Sequence, residues 1–394
     1  MTKSLRICVV AACPFPFPRG TPIRAARLSE ALAALGHEVD VVTYGAGVGA
    51  LDPAVRIHRI RQSERIDVSA PGPSFGKLLV LDPRLVFRLR RLRQERAFDL
   101  VHAHHYEGLL VARTATKDLP IVYDAHTVLE TELPAYAPWI PGSLKRRVGR
   151  TIDERLPRWS NAVIAVSDVL RDHLVSRGAV DPERIEVVGN GVEIGTRPRR
   201  QPAVDEGPDG GTITYAGNLA PYQGIEYLLE AFSRVVDRRP ASRLRILTDS
   251  KFDRFESLAR ELGIRDRIDV RAVPPSELHA ALDGAHVAVN PRPRCDGVPQ
   301  KNLNYMAACV PLVAFAGSLH PCRDGVSGLA VPSVSGEALG SAILHLLDRP
   351  AERAAFAEAA RTEVERDFTW AQQAARVTTV YERMLSRRRG PSTS

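Results

Sequence analysis

The stretch DGVPQKNLNYMAACVP, residues 296–311, sets polar residues, a proline and an amphipathic segment in an order suited to binding an anion. If Pro299 takes the first helical position, its missing N–H costs nothing there. At about 100° per residue, Gln300, Lys301 and Asn304 then share one face of the helix and Leu303, Met306, Ala307 and Val310 another. The apolar face packs. On the polar face, the backbone N–H groups of the helix entrance, beside Gly297 and Val298, and the Lys301 ammonium together suit a diphosphate. A capped core helix with no ligand is the competing reading of the same residues.

A second group of residues lies in HAHHYE (102–107) and DAH (124–126). Imidazoles and carboxylates so close in sequence could share an ion, but the pattern matches no standard zinc spacing, and no metal site is expected. His126 falls at the expected end of the strand PIVYDAH. His105 is a candidate for the acceptor side of a site, and His102 and His104 are expected to serve the strand and its packing. The loop PRGTP, with Gly20 and Thr21, is a glycine-containing strand-to-helix turn suited to backbone contacts with phosphate or sugar. GAGVG (45–49) looks like a nucleotide fingerprint but follows the second strand and opens no clear helix, so it reads as a loop.

The elements that must hold these residues alternate. In the first half, LRICVVAA, HEVDVVTY, VRIHRI, DLVHAHH, PIVYDAH and NAVIAVS read as strands with helices between several of them. After a stretch dense in Gly, Pro and charge, the alternation restarts with TITYAGN, RLRILTD, IDVRAV, HVAVNPRP, PLVAF and GLAVPS. The expected organisation is a Rossmann-like domain over 1–194, a linker over 195–211, a second such domain over 212–367, and a helix over 368–386. With 394 residues, two cores are the natural division.

A formal charge of +8 is dominated by RLVFRLRRLRQER (84–96) and LKRRVGR (144–150). The first is a basic amphipathic helix with Leu85, Leu89 and Leu92 on one side. It reads either as a solvated face or as a surface for anionic lipid. No helix-turn-helix or aromatic-basic module accompanies the arginines, so nucleic acid is not expected. Five cysteines without CxxC spacing fit a reduced, cytoplasmic setting. No apolar run reaches membrane-spanning length, which leaves only peripheral contact with the inner face of a membrane.

With these pieces in order, the chain resembles the retaining glycosyltransferases of family 4. The resemblance is carried by PFPFPRGTPIR, LGHEV, YDAH, AVSDVL, VVGNGVE, YAGNLAPYQGIEYLLEAF, GVPQKNLNYMAACVPLVAF and RDGVSGLAVP, in that order. It implies the GT-B fold, two facing Rossmann-like domains with an interdomain cleft and a last helix crossing back to the N-terminal domain. It also implies a nucleotide-sugar donor on the C-terminal domain and an acceptor, lipid-linked or a small molecule, on the N-terminal side, with no cofactor. By the same resemblance, His126 contacts the donor sugar near the reacting carbon.

The family places two glutamates at positions 296 and 304 and a basic pair at 218 and 223. Here the residues are Asp296, Asn304, Asn218 and Gln223, the last followed by Gly224. Two cations are therefore missing, and Lys301 with Arg292 or Arg294 is expected to substitute. These departures also admit a non-catalytic sugar- or nucleotide-binding protein acting as a regulatory subunit. A nicotinamide-dependent oxidoreductase is disfavoured, because no GxGxxG follows the first strand.

Overall fold

The computed structural model describes residues 4–17, 20–61, 66–68, 72, 74–135, 141–194, 209–295 and 297–389. Asp296 and residues 195–208 of the expected linker lie outside them. The chain divides into two units, one formed by Met1–Asn190 with Trp370–Ser394 and the other by Gly191–Thr369.

The first unit is built on seven strands: β1 (Arg6–Ala11), β2 (Glu38–Thr43), β3 (Val55–Arg59), β4 (Leu100–His104), β5 (Ile121–Ala125), β6 (Ala162–Ala165) and β7 (Ile185–Val187). They run parallel in the order β3-β2-β1-β4-β5-β6-β7. The strands read as nearly continuous apolar runs because both faces are covered. The pleat sorts their side chains by alternation. Cys8, Val10, Val101, Ala103 and Tyr123 face helices α2 (Asp82–Glu95) and α3 (His105–Ala115), whose Leu85, Leu89, Leu92 and Leu109 are buried there. Ile7, Val9, Leu100 and Val122 face helix α1 (Gly20–Ala34) and the last helix, Trp370–Arg389, through Leu28, Leu32, Ala374, Val377 and Tyr381.

Register decides which polar residues meet. Ala11 pairs with His104, and His104 with Asp124, across three neighbouring strands. By the alternation of two, His102, His104, Asp124 and His126 all project to the face covered by α1 and the last helix. Strand order reverses between β1 and β4, so the helices following them, α1 and α3, open side by side at the carboxyl ends where such sheets hold ligands.

The second unit repeats the plan with β8 (Thr212–Ala216), β9 (Arg243–Leu247), β10 (Ile268–Arg271), β11 (Val287–Asn290), β12 (Leu312–Phe315) and β13 (Leu329–Val331) in the order β10-β9-β8-β11-β12-β13. The helix Ile225–Arg238 buries Leu228, Leu229, Phe232 and Val235 against the sheet and against the helix Gly336–Leu347. A Cβ on Gly340 would sit 3.0 Å from the Ala231 carbonyl oxygen, so glycine permits this helix pair its close approach. The second unit begins at Gly191, which the sequence reading assigned to the first domain. The reason is local: the Val192 N–H donates to the Phe368 carbonyl at 2.8 Å, and Val192 packs with Leu303, Met306 and Val364.

The helix of the opening stretch spans Gln300–Ala307. Pro299 is its extended N-cap residue, with ψ of 123°, and not its first helical residue as expected from sequence. Leu303, Met306, Ala307 and Val310 are buried, as the apolar spacing requires.

Candidate active site

Asp124 is the centre of the polar group in the first unit. It is fully buried, and a carboxylate there requires partners. Arg24, from the second turn of α1 and also buried, donates through Nε at 3.1 Å to Oδ1 and through Nη2 at 3.0 Å to Oδ2. The remaining Arg24 donors reach the carbonyl oxygens of Val188 at 2.8 Å and Gly189 at 2.7 Å. His102 Nε2 lies 3.1 Å from Asp124 Oδ2, and His126 Nε2 lies 3.3 Å from Oδ1. Burial alone would push the Asp124 carboxyl up; the Arg24 guanidinium with His102 and His126 outweighs it and holds the group well below the usual carboxylate range.

His126, the residue after β5, is held at both ring nitrogens. Thr21 Oγ1 is 3.1 Å from Nδ1, and His104 Nδ1 is 3.2 Å from Nε2. Burial pushes the His126 imidazole down, against the pull of Asp124, and keeps it neutral at pH 7. His104 is driven further down, by burial and then by its neighbour His102, whose ring stacks on it at 4.5 Å. Thr21 therefore stands beside His126, and Gly20, the residue before it, has a φ of +52°, a left-handed conformation that glycine adopts at no steric cost.

His105 opens α3 with a φ of +63°, which is strained for a residue with a side chain. Its Nδ1 makes a short hydrogen bond to Glu107 Oε2, and its ring centroid is 6.0 Å from that of His126. Burial disfavours charge on both members of the pair. Each nevertheless stabilises the other's ionised form, which raises the His105 imidazole and lowers the Glu107 carboxyl.

His102, His104 and Asp124 bring three ligand-type atoms within 4.8 Å of one another, the one such grouping among the described residues. They do not fit a metal ion. Both Asp124 oxygens already accept hydrogen bonds, and the adjoining Arg24 guanidinium opposes a further cation.

In the second unit Lys301 is the centre. Its Nζ donates to Gln223 Oε1 at 2.7 Å and to Tyr215 Oη at 3.0 Å. Gln223 Nε2 in turn donates to Asn218 Oδ1 at 3.2 Å, and Tyr215 Oη donates to the Asn218 carbonyl at 2.6 Å. The loop after β8 and the helix Gln300–Ala307 thus meet at one ammonium, 2.7 Å from the side chain that stands where a cation was expected. Burial, followed by repulsion from Arg292, pushes Lys301 down to about 7.

Two glycines shape the same loop. A Cβ on Gly217, with φ at +147°, would approach Lys301 Nζ to 3.3 Å, and one on Gly224, with φ at +71°, would meet the Pro291 carbonyl oxygen at 2.3 Å. Arg292 stacks its guanidinium 4.9 Å from the Tyr222 ring centroid and donates from Nε to the Arg294 carbonyl. Gln300 donates to the Gly191 carbonyl at 3.1 Å, while Asn304 lies one turn further on and is half-buried, as are Gly297 and Val298.

Arg24, Tyr215 and Tyr381 escaped the reading from sequence, and Asp124 entered it only within DAH, as a carboxylate that could share an ion. The signal for Asp124 was present, as a charge inside the apolar run PIVYDAH. Arg24 carried no such mark in a helix where Arg27 is ordinary surface. Tyr215 lay within a strand and Tyr381 within a remote helix, and only tertiary contact gives either a role.

Comparison with known proteins agrees over nearly the whole chain. Residues 18–195 match Glycosyltransferase Family 4, and residues 210–349 match Glycosyl transferases group 1. The MMP alpha-(1->4)-mannosyltransferase of Mycolicibacterium hassiacum is 26% identical, covering 93% of this chain and 95% of that protein. The D-inositol 3-phosphate glycosyltransferase of Nocardioides sp. is 27% identical over 92% of this chain and 85% of that protein. Among solved structures, sucrose-phosphate synthase from Thermosynechococcus elongatus superposes with a TM-score of 0.76 at 19% identity, covering 96% of this chain and 99% of that one. Anabaena HepE, determined with UDP and glucose, superposes with a TM-score of 0.71 at 16% identity, covering 96% and 100%.

Proposed function

Because this chain belongs to the glycosyltransferases of family 4 and has their GT-B α/β fold, we propose that its donor is a nucleotide sugar and that transfer retains the anomeric configuration. The observation that carries the reading is the Lys301 ammonium, poised between Tyr215 and Gln223 at the entrance of the helix Gln300–Ala307. A diphosphate placed there meets a cation and a helix N-terminus together, which is the stabilisation a departing nucleoside diphosphate needs. Lys301 then takes the part of the cation missing at Gln223. Arg292 adds long-range field to this region. HepE, of similar fold, was determined with UDP and glucose, which supports a nucleotide-sugar donor here.

The engagement of Asp124 supports a transfer in which no enzymic carboxylate takes part. With Arg24, His102 and His126 on its oxygens, it is engaged by partners, which speaks against its acting as nucleophile or general base. In this reading the bond from the sugar's anomeric carbon to the phosphate oxygen breaks, with its electron pair leaving on the diphosphate. The acceptor hydroxyl attacks from the same face and passes its proton to that phosphate oxygen. His126, fixed by Thr21 and Asp124, orients the sugar, and His105 lines the acceptor side. Asp296 and Asn304 contact the donor sugar and ribose. The enzyme works in the cytoplasm on an acceptor that is lipid-linked or a small phosphorylated molecule, as the inositol phosphate of the Nocardioides relative illustrates.

A panel of nucleotide sugars, read by nucleotide release and by mass spectrometry, tests the donor class; NMR of the product's anomeric proton tests the stereochemistry. Turnover of one donor with an α-linked product from an α-linked donor is the expected result. Inverted product, or no release from any nucleotide sugar, overturns the proposal.

A further inference from the structure

The basic helix α2 leaves Arg84, Arg90 and Arg91 exposed, but most of its arginines are already engaged by neighbouring groups. Arg93 is bound to Asp118, Arg96 to Glu38, Arg88 to His58 and Arg91 to Glu95, while Arg90 donates to the Thr114 carbonyl. Beside these charges, the helix and the turn before it expose large apolar side chains. Phe75 is 72% exposed, Leu79 71% and Phe87 68%, on the side away from the buried Leu81, Leu85, Leu89 and Leu92. A π-helical turn, Lys77–Leu81, runs directly into α2, so these three residues form one ridge. Isolated apolar residues on a surface are ordinary, but a ridge of large ones is not.

A second exposed pair lies on the helix Gly142–Arg155. Leu144 and Val148, four residues apart and each about half exposed, stand among the exposed Arg146 and Arg147. Topology puts the two surfaces at one edge of the sheet. α2 ends just before β4 begins, and Gly142–Arg155 ends just before β6 begins, so both helices start at the carboxyl ends of the strands. The His105–Glu107 pair lies between them. Glu107 acts electrostatically on Lys77, buried beneath the first ridge in the same turn as Leu79, and Asp153 of the second helix acts on His105. The same edge carries His126.

We propose that Phe75, Leu79 and Phe87, together with Leu144 and Val148 and the cations Arg84, Arg146 and Arg147, seat this protein on an anionic phospholipid bilayer. Apolar side chains enter the interface and arginines meet the headgroups, as in other peripheral amphipathic surfaces. Among the described residues no helix is long and apolar enough to cross a membrane, so the contact is superficial. Its place on the sheet gives it a purpose, since a bilayer at this edge brings a lipid-borne acceptor up to His105 and His126. This purpose rests on the acceptor assignment above; the docking itself does not. A second basic surface, the hollow of about 550 Å³ lined by Arg113, Lys117, Arg158, Arg184, Arg387 and Arg388, opens where β5 and β6 begin. A membrane there would lie at the opposite edge from His126.

Co-sedimentation of the full-length chain with vesicles decides the matter. Wild type is expected to bind phosphatidylcholine vesicles containing about 30% phosphatidylglycerol, and to bind pure phosphatidylcholine at least about tenfold more weakly. Phe75→Ser with Leu79→Ser should weaken binding by about tenfold or more, and Arg146→Glu with Arg147→Glu should do so on the anionic vesicles alone. Nucleotide release with a water-soluble acceptor should be unchanged in both variants, which separates failure of docking from failure of the donor assignment. The proposal is overturned if wild type ignores anionic vesicles or if both variants bind them as wild type does. It is also overturned if Arg113→Glu with Lys117→Glu abolishes binding while the ridge variants keep it, or if sedimentation equilibrium shows the ridge holding two copies of the chain together.

Discussion

The hydroxyl of Tyr381 lies 2.5 Å from Nδ1 of His102, joining the last helix of the chain to a strand 279 residues earlier. With the hydroxyl donating, the His102 proton sits on Nε2 and points at Asp124, 3.1 Å away. The last helix therefore does more than cover the sheet: it sets the tautomer of a histidine that helps to hold the Asp124 charge. His126, on the other oxygen of the same carboxylate, inherits its position from this arrangement.

Tyr381→Phe keeps the ring packed and removes only the hydroxyl. Nδ1 of His102 is then left without a partner in a site sealed from water, at a cost of about 1–3 kcal/mol. Urea denaturation should show this loss; an unchanged midpoint would show that the hydrogen bond is unimportant.

Arg24→Met leaves Asp124 buried beside histidines alone. Breaking one side of a buried pair typically costs about 3–5 kcal/mol. Adding Asp124→Asn should cost less in this background than in wild type, because the uncompensated charge is gone. Strict additivity in this double-mutant cycle would contradict the coupling of the two residues.

The Lys301 ammonium, at about 7, is half protonated near neutrality in the empty protein. A bound diphosphate favours the charged form, so binding takes up a proton above that pH. The affinity for a nucleoside diphosphate should fall as pH rises from 7 to 9, approaching about tenfold per pH unit. Calorimetry in buffers of different ionisation enthalpy would detect the proton. Lys301→Met should bind more weakly at pH 7 and lose this pH dependence; an equal slope in the variant would remove Lys301 from the donor site.

The His105–Glu107 pair has its own window. The raised His105 imidazole contributes stability that is fully present below its unfolded value of 6.5 and is lost as pH rises through the folded value. The lowered Glu107 carboxyl contributes above 4.5, and that contribution is lost as pH falls. The stability difference between wild type and Glu107→Gln should thus be greatest between pH 4.5 and 6.5, roughly 2 kcal/mol, and should shrink on either side. A difference flat with pH would mean that the pair is not ionic.

Much of the fold was legible because strand and helix periods are local properties. The runs ICVV, DVVT and NAVIAV each became a parallel strand, and Leu85, Leu89 and Leu92 each turned inward. β7 was missed because its three residues, IEV, set a charge between two apolar residues and bury only Ile185, so they make no apolar run. The polar face of residues 300–304 was also legible, but its division was not: Gln300 turns to the Gly191 carbonyl, and Lys301 to Tyr215 and Gln223. The basic helix α2 shows the same limit. Its sequence displays charge and cannot display that Asp118, Glu38 and His58 lie within reach.

By itself, the sequence determined two parallel α/β units, the strand end from which His126 projects, the helix that carries Lys301, and the family whose motifs it carries, because alternation, spacing and motif order are written along the chain. Only the tertiary structure decided that Arg24, Asp124, His102 and Tyr381 form one buried network, and that Lys301 stands beside Gln223. Burial is what gives these groups their shifted charge states, and burial depends on residues distant in sequence arriving at the same few ångströms.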